Sequence, residues 1–452
     1  MKRFGAVLIC LLLMSMYSTA YAQTGASFLL SAKSGQVLFS GDGTPLTEAG
    51  AYSFINRIVP KGVEPEQWLY VAYANNNGAS LCRILDAQGN ILSDGIYDAV
   101  YEADGIIYMV KNSLVGALNS DGSELISSRY TQLVSNGEDG FLALMSEPFD
   151  ERPDGVYYVA PGEAESATGS KVTHGLNAFS EKLLPAVSES GRMGYLNARG
   201  EWGISAQYAF AGNFSSGYAQ ASSSAGMGVI DTSGNWVLTP KYAVVDMGLG
   251  ESRMMMAQSD GSEALLLDAD SLEVKRQFQG QDIYFSTCFD VDAAILYLDD
   301  CTQLIDGEGN VLLEFGLNAK FDVWSVMDDR VIVRQGEWGE ASVYLYTLDG
   351  HEVAGPYQEL WVLGEDDGRA LFAASSYEVT QEVDIGAAFT SYTEVPDTRK
   401  IRVVDGEGTQ VIEPRDYHTL HRDESGYMIF RAKDTTGAID IDGRVIAEMP
   451  TQ

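Results

Sequence analysis

The chain has 452 residues, with 64 Asp and Glu against 29 Lys and Arg and a formal net charge of -35 at pH 7. Hydrophobic residues make up 45%, enough for a packed core and too many for a disordered polymer. An excess of carboxylates on this scale repels nucleic-acid phosphates and anionic lipid headgroups, so neither is expected as a partner.

The chain begins with a basic Met1-Lys2-Arg3, an almost wholly apolar run from Phe4 to Met16, and Ala20-Tyr21-Ala22, small at the two positions a signal peptidase reads. This pattern predicts a signal peptide over 1–22 and an exported mature chain, extracellular, periplasmic or held at the cell envelope. The apolar run is short for a bilayer span of about 20 residues. No later segment is long and apolar enough to cross a membrane, so no insertion is expected after cleavage.

Residues 23–452 read as one all-β repeat domain. An apolar strand, an Asp/Asn/Gly turn and a second apolar strand return along the whole length. The turn glycines are Gly35, Gly89, Gly122, Gly200, Gly234, Gly309, Gly350, Gly408 and Gly443, with weaker turns near Gly162 and Ser271. Most spacings lie between 33 and 41 residues. A second glycine stands six residues before the turn at Gly116, Gly194, Gly228 and Gly437. A tyrosine stands eight residues after it at Tyr97, Tyr130, Tyr208 and Tyr242. Loose hairpins do not hold such offsets; a reused structural unit does. Turn glycine and tyrosine corner read as structural, and the earlier glycine reads as a close approach of neighbouring backbone. No long amphipathic helix is legible in the mature chain.

A unit of three or four short strands cannot bury both faces of its own sheet, so successive units must stack. The expectation is a β-propeller-like array of about 9–10 repeats of roughly 35–41 residues. An open β-solenoid, or two packed propeller-like halves, is the alternative. Gly443 is followed by a single strand, so the last unit reads as incomplete and is expected to close the ring by pairing with the first mature strands. The long interval between Gly350 and Gly408 predicts an extended hairpin inserted near 377–399, a natural place for a binding rim.

The best-kept stretch runs from Met193 to Tyr242. Met193-Gly194-Tyr195 and Met227-Gly228-Val229 open two copies, Ile204-Ser205-Ala206-Gln207-Tyr208 and Leu238-Thr239-Pro240-Lys241-Tyr242 follow, and Phe214-Ser215-Ser216-Gly217-Tyr218-Ala219 ends the first. This resembles the WG (KWG) repeat family of bacterial proteins, as a diverged member. The signature Trp is replaced by Val115, Met193, Met227 and Thr436, and Trp202-Gly203 lies out of phase. The resemblance implies an exported all-β repeat protein and no catalytic residues.

His418 and His421, with Asp416, Asp423 and Glu424, are the densest set of metal-ligand types. Their H-x-x-H spacing suits a helix, and here it follows a strand, so the two rings diverge. Asp268-Ala269-Asp270, Asp306-Gly307-Glu308 and Asp440-Ile441-Asp442 lack the spacing of a calcium loop and read as hairpin turns. Asp290, Asp292, Asp299 and Asp300 are the place for a glycosidase pair, although closeness in sequence carries little weight among 64 acidic residues. Cys288 and Cys301 flank a stretch able to fold back, and both a disulfide and small buried thiols remain open readings. No catalytic residue, cofactor or metal is assigned. The expected function is a non-catalytic binding or scaffold role toward a protein or cell-surface glycan at the cell envelope. The alternative is a glycoside hydrolase or lyase on a propeller.

Overall fold

A computed structural model describes residues 26–58, 64–74, 81–145, 155–247, 255–259, 261–268, 270–280, 283–287, 293–316, 319–320, 330–336, 342–376, 382–383, 392–393 and 399–451. Among them the secondary structure is strand throughout, apart from one 3-10 turn at Pro65–Gln67. The strands form ten blades of a β-propeller, each an antiparallel meander in chain order. Blade 1 spans 28–97, blade 2 spans 99–130, blade 3 spans 132–167, blade 4 spans 184–208 and blade 5 spans 210–242. Blade 6 spans 244–279, blade 7 spans 284–316, blade 8 spans 319–357, blade 9 spans 359–417 and blade 10 spans 419–450. Blade 1 has six strands and blade 4 has three; the other eight have four.

Both faces of a blade are buried, and the sequence shows how. Along Leu69–Ala74, Tyr70 and Ala72 join one apolar cluster while Leu69 and Val71 join the next. Along Ala293–Tyr297, Ala293 and Ile295 face one neighbour while Ala294 and Leu296 face the other. Strand alternation therefore puts apolar side chains on both sides, giving near-continuous apolar runs rather than an in/out pattern. The described residues form eleven such clusters, one more than the number of blades. The extra one lies inside blade 1. Its N-terminal strands Phe28–Ala32 and Gly35–Phe39 meet the rest of the sheet through a single residue pair, Gln36↔Tyr52. The sheet bends there, and Leu38 packs back onto Ile55, Tyr70 and Ala72.

The first strands of neighbouring blades approach one another. Thr287 N donates to Asp246 Oδ2 at 3.0 Å between blades 7 and 6, and Trp361 Nε1 donates to the Leu420 carbonyl at 3.0 Å between blades 9 and 10. The first strands thus form the inner wall and the last strands the outer edge. In such a meander the first and third turns lie on one face of the ring and the second turn on the other.

Two expectations about the ends are corrected. The last unit is complete: Thr419–Arg422, Met428–Arg431, Thr435–Ile439 and Val445–Pro450 form a four-stranded blade drawn from the C-terminal residues alone. The ring therefore closes by face-to-face packing rather than by an exchanged strand. Phe28, Leu30, Val37 and Phe39 pack against Tyr427, Ile429, Ala438 and Ala447. The first turn of the repeat is also misplaced in the sequence reading. It is Ser40–Thr44, with Gly43 N donating to the Ser40 carbonyl at 2.9 Å, and Gly35 lies in the preceding hairpin.

Candidate functional site

The repeated residues are bound up in the fold. At Asp231 the carboxylate oxygen Oδ1 accepts from Ser233 N and Asn235 N, both at 2.9 Å. Asp86, Asp306 and Asp405 make the same pair of contacts at their own turns, and Asn197 makes them with an amide oxygen. Donation from the Asn235 amide pulls the Asp231 carboxyl below its ordinary pKa, and that from Ser271 lowers Asp268 to about 2. These aspartates are caps on turns.

The turn glycines have a role beyond conformation. Gly234 has φ +82, which alone favours glycine, and a Cβ there would lie 2.6 Å from Ile204 Cγ2 on the outer strand of the preceding blade. Tyr208, on that same outer strand, donates its hydroxyl to the Gly234 carbonyl at 2.6 Å. Gly200 meets Thr168, Gly309 meets Arg276 and Gly408 meets Val353 in the same way. Gly443 meets Ile412, and the relation carries across the ring closure, where Gly43 meets the Ile446 carbonyl. Gly122 is looser, with Leu92 as its neighbour. These turns are thus seated on the outer edge of the unit before them, whereas Gly162 in blade 3 has nothing within 4 Å of its added Cβ.

The glycines six residues earlier face backbone. A Cβ on Gly116, Gly194 or Gly228 would lie 2.4, 2.5 or 2.3 Å from the carbonyl oxygen of Ile126, Ile204 or Leu238. In each case the last two strands of the blade shift register beside the glycine. Gly437 differs, because its nearest neighbour is the Phe430 ring. Tyr130, Tyr208 and Tyr242 are all buried at the ends of their outer strands.

The polar residues left over do not converge. Asp42, Asp121, Asp270, Glu308, Asp349, Glu407 and Asp442 occupy the same place in seven of the turns, where Gln88, Arg199 and Ser233 stand in others, and all seven are exposed on one face of the ring. A hollow of about 280 Å³ opens there, lined by Glu66, Gln67, Trp68, Leu69, Asp86, Ser120 and Asp121. On the inner wall Phe54, Tyr101, Phe210 and Tyr284 are exposed. The opposite face carries the inserted hairpin of blade 9, in which Glu382–Val383 pairs with Tyr392–Thr393; the rest of 377–398 lies outside the described residues.

The histidine cluster is dispersed. Asp416 pairs with Lys400 at 2.6 Å, and Asp423 and Glu424 each pair with Arg57 at 2.8 Å. His421 is solvent-exposed yet walled by protein, which holds its imidazole below the usual histidine pKa against the pull of Asp423. Among the described residues no group of three or more metal-ligand side chains gathers. Cys82 is a buried free thiol and Cys301 a half-buried one. Cys288, Asp290 and Asp292 lie outside the described residues.

Sequence reasoning missed Arg57. Its side chain is 5% exposed and lies 4.6 Å from the Trp68 ring centroid, and it donates to the Ser27 carbonyl at 2.9 Å as well as to Asp423 and Glu424. Burial is the largest single influence and opposes its charge, but Asp423, Tyr70 and Glu424 together outweigh it, and the net shift of its pKa is upward. Arg57 and its carboxylates are 366 and 367 positions apart, so no local pattern marks them.

A family model described as "WG containing repeat" matches residues 193–222 and 227–246. The chain is a WG-repeat-containing protein. The first match begins in the last two strands of blade 4 and ends in the first two of blade 5, so one WG repeat straddles two blades. No curated protein matches this WG-repeat chain. Among solved structures, one titled "Crystal structure of the eukaryotic initiation factor" superposes with TM-score 0.42 and 9% identity, over 95% of this chain and 96% of that one. BamB from Moraxella catarrhalis gives TM-score 0.29 and 13% identity, over 62% of this chain and 93% of BamB. The computationally designed Ika8 protein gives 0.27 and 13%, over 62% and 93%. Likeness at this level carries nothing about function.

Proposed function

We propose that this WG-repeat protein is an exported, non-catalytic scaffold that binds a protein or a cell-surface glycan across a face of its ring. The observation that supports this reading is the distribution of its polar groups. The repeated Asp, Asn and Tyr side chains are engaged in turns and between blades, and the exposed carboxylates recur singly at one place in seven of the turns. A periodic, distributed set of groups suits contact with an extended partner, whereas hydrolysis of a glycan needs two carboxylates facing one bond. Exposed aromatic side chains on the inner wall add flat apolar surface that suits either partner class.

The test is direct binding. The mature chain is titrated calorimetrically against purified envelope polysaccharides and envelope proteins, and the ligand is then recovered and analysed by mass spectrometry. Saturable binding with intact ligand supports the proposal. Cleaved glycan supports the hydrolase or lyase alternative and overturns it, as does absence of binding to both classes. Deleting 378–398 locates the contact: unchanged affinity removes the hairpin from the binding surface.

A further inference from the structure

The N-terminal strands are held unlike any other part of the ring. Within blade 1 they pair with their own sheet at one residue pair, reinforced by Ile55 N donating to Gln36 Oε1 at 2.6 Å, and otherwise meet it by packing of Leu38 and by the Ser27–Tyr70 hydroxyl contact at 2.6 Å. The neighbouring strands Tyr52–Ile58 and Leu69–Ala74 are in register over six pairs. On their other side the N-terminal strands face blade 10. There Phe28 meets Tyr427 edge-on at 5.1 Å, Tyr427 donates to the Gly41 carbonyl at 2.7 Å, and Lys33 N donates to the Thr451 carbonyl at 3.0 Å. Arg57 reaches past them. It binds the Ser27 carbonyl of the N-terminal segment and both Asp423 and Glu424 of blade 10, while its guanidinium lies on the Trp68 ring of blade 1. One buried cation therefore ties together all three parts.

Between successive blades the chain itself crosses the interface, so the two sides stay close even when their packing is lost. No chain crosses from blade 10 to the N-terminal segment. Once that contact parts, the only tether is the full circumference of the ring. We infer that residues 26–51 act as a strap seated between the first and last blades, that the ring opens and recloses at this seam, and that Arg57 is its clasp. Opening detaches the strap and leaves the stacked blades otherwise intact.

Hydrogen exchange followed by mass spectrometry on the full mature chain tests this. In the wild type, amides of 28–39 and 428–439 exchange at least tenfold faster than those of 193–196 and 226–231. Arg57→Met keeps a flexible apolar stem on Trp68 and leaves the two carboxylates without their cation. It accelerates exchange at least a further tenfold at the seam and leaves 193–242 unchanged. Should Arg57→Met not fold, Tyr427→Phe, which keeps the ring and removes the hydroxyl contact to Gly41, is expected to act at the same two segments with a smaller effect. Equal protection at the seam and at 193–242 in the wild type, or acceleration spread evenly round the ring in the variant, overturns the inference.

Discussion

The glycines six residues before each turn give the sharpest test of how the blades are built. At Gly228 an added methyl would lie 2.3 Å from the Leu238 carbonyl oxygen and 3.0 Å from the Pro240 Cα and N. Its backbone is not in the left-handed region, so the cost of alanine there is steric. Relief to a 3.0 Å contact requires the third and fourth strands of blade 5 to part by about 0.7 Å, beside the register shift at Met227 and Val229. Overpacking of this kind costs about 1–3 kcal/mol. Gly316 is the control: nothing lies within 4 Å of its added Cβ and its φ is ordinary. Alanine there is expected to stabilise by about 0.4–1 kcal/mol through the unfolded chain. A ring of many blades does not unfold in two states, so a single melting temperature is a poor readout. Local hydrogen exchange is the better one, since about 1.4 kcal/mol is a tenfold rate. Amides of 226–231 and 236–242 are expected to exchange at least about fivefold faster in Gly228→Ala, and those of 301–316 no faster in Gly316→Ala. Gly116→Ala and Gly194→Ala should repeat the Gly228 result in their own blades. If Gly228→Ala exchanges like the Gly316 variant, the close-approach account of these positions is wrong.

Tyr208→Phe removes the hydroxyl that fastens the Gly234 turn at 2.6 Å and should cost about 0.5–1.5 kcal/mol, read as faster exchange at 231–235. Hydrogen bonds from Ser271 hold the folded Asp268 carboxyl at a pKa of about 2, below the ordinary aspartate value of 3.8. Its contribution is therefore complete above the unfolded value and lost as pH falls through the folded one. Asp268→Ala should be less stable than wild type at pH 7 in urea denaturation, with the difference vanishing near pH 2. Asp246 has the opposite sign, because burial raises its carboxyl pKa, so it opposes folding at neutral pH and ceases to do so in acid. The Cys82 thiol is pushed up to about 12 by burial, so in the folded chain it should resist iodoacetamide at pH 8 and react once urea unfolds it. If the chain is exported as proposed, its mature form should begin at Gln23 by mass spectrometry; a retained 1–22 would contradict the predicted cleavage.

The stacking of blades was legible because it is written twice, as apolar runs and as fixed offsets from the turn. What the sequence hid was the phase. A WG repeat opens on a hairpin that forms the outer half of one blade and ends on strands that form the inner half of the next. Cutting the chain at the hairpins therefore leaves an apparent stub after Gly443, and the missing strands are those just before it, from Thr419 to Ile439. Gly35 misled for a related reason. It carries φ +129 in a tight hairpin and so has the chemistry of a turn, but the turn seated on its neighbour is at Gly43. The Asp-rich turns were placed correctly as hairpins, yet nothing local reveals that each lies against the preceding outer strand. The Arg57 contacts span nearly the whole chain, and only the closed ring brings them together.

The seating of turns on outer strands also explains why closure follows once the blades are stacked. Such an interface joins the turn of one unit to the outer strand of the unit before, so a stacked unit offers one unmet turn at its leading side and one unmet strand at its trailing side. In an open array the strap would present Gly43 with Phe28, Leu30, Val37 and Phe39, and blade 10 would present Ile446 with Tyr427 and Ile429, all to water. These two surfaces are complementary because they are the same contact repeated elsewhere round the ring. Closing costs no new chain ordering in the blades and buries both apolar faces, so the balance that stabilises any one interface favours the last as well. The difference is the missing covalent link, and at that junction the structure places a buried cation bound to two carboxylates. Removing Arg57 leaves Asp423, 15% exposed, without its cation, a loss of about 3–5 kcal/mol for a fully buried pair, whereas Glu424, 66% exposed, is left in water. A single substitution at Arg57 is thus expected to weaken the one interface that the chain's own connectivity does not protect.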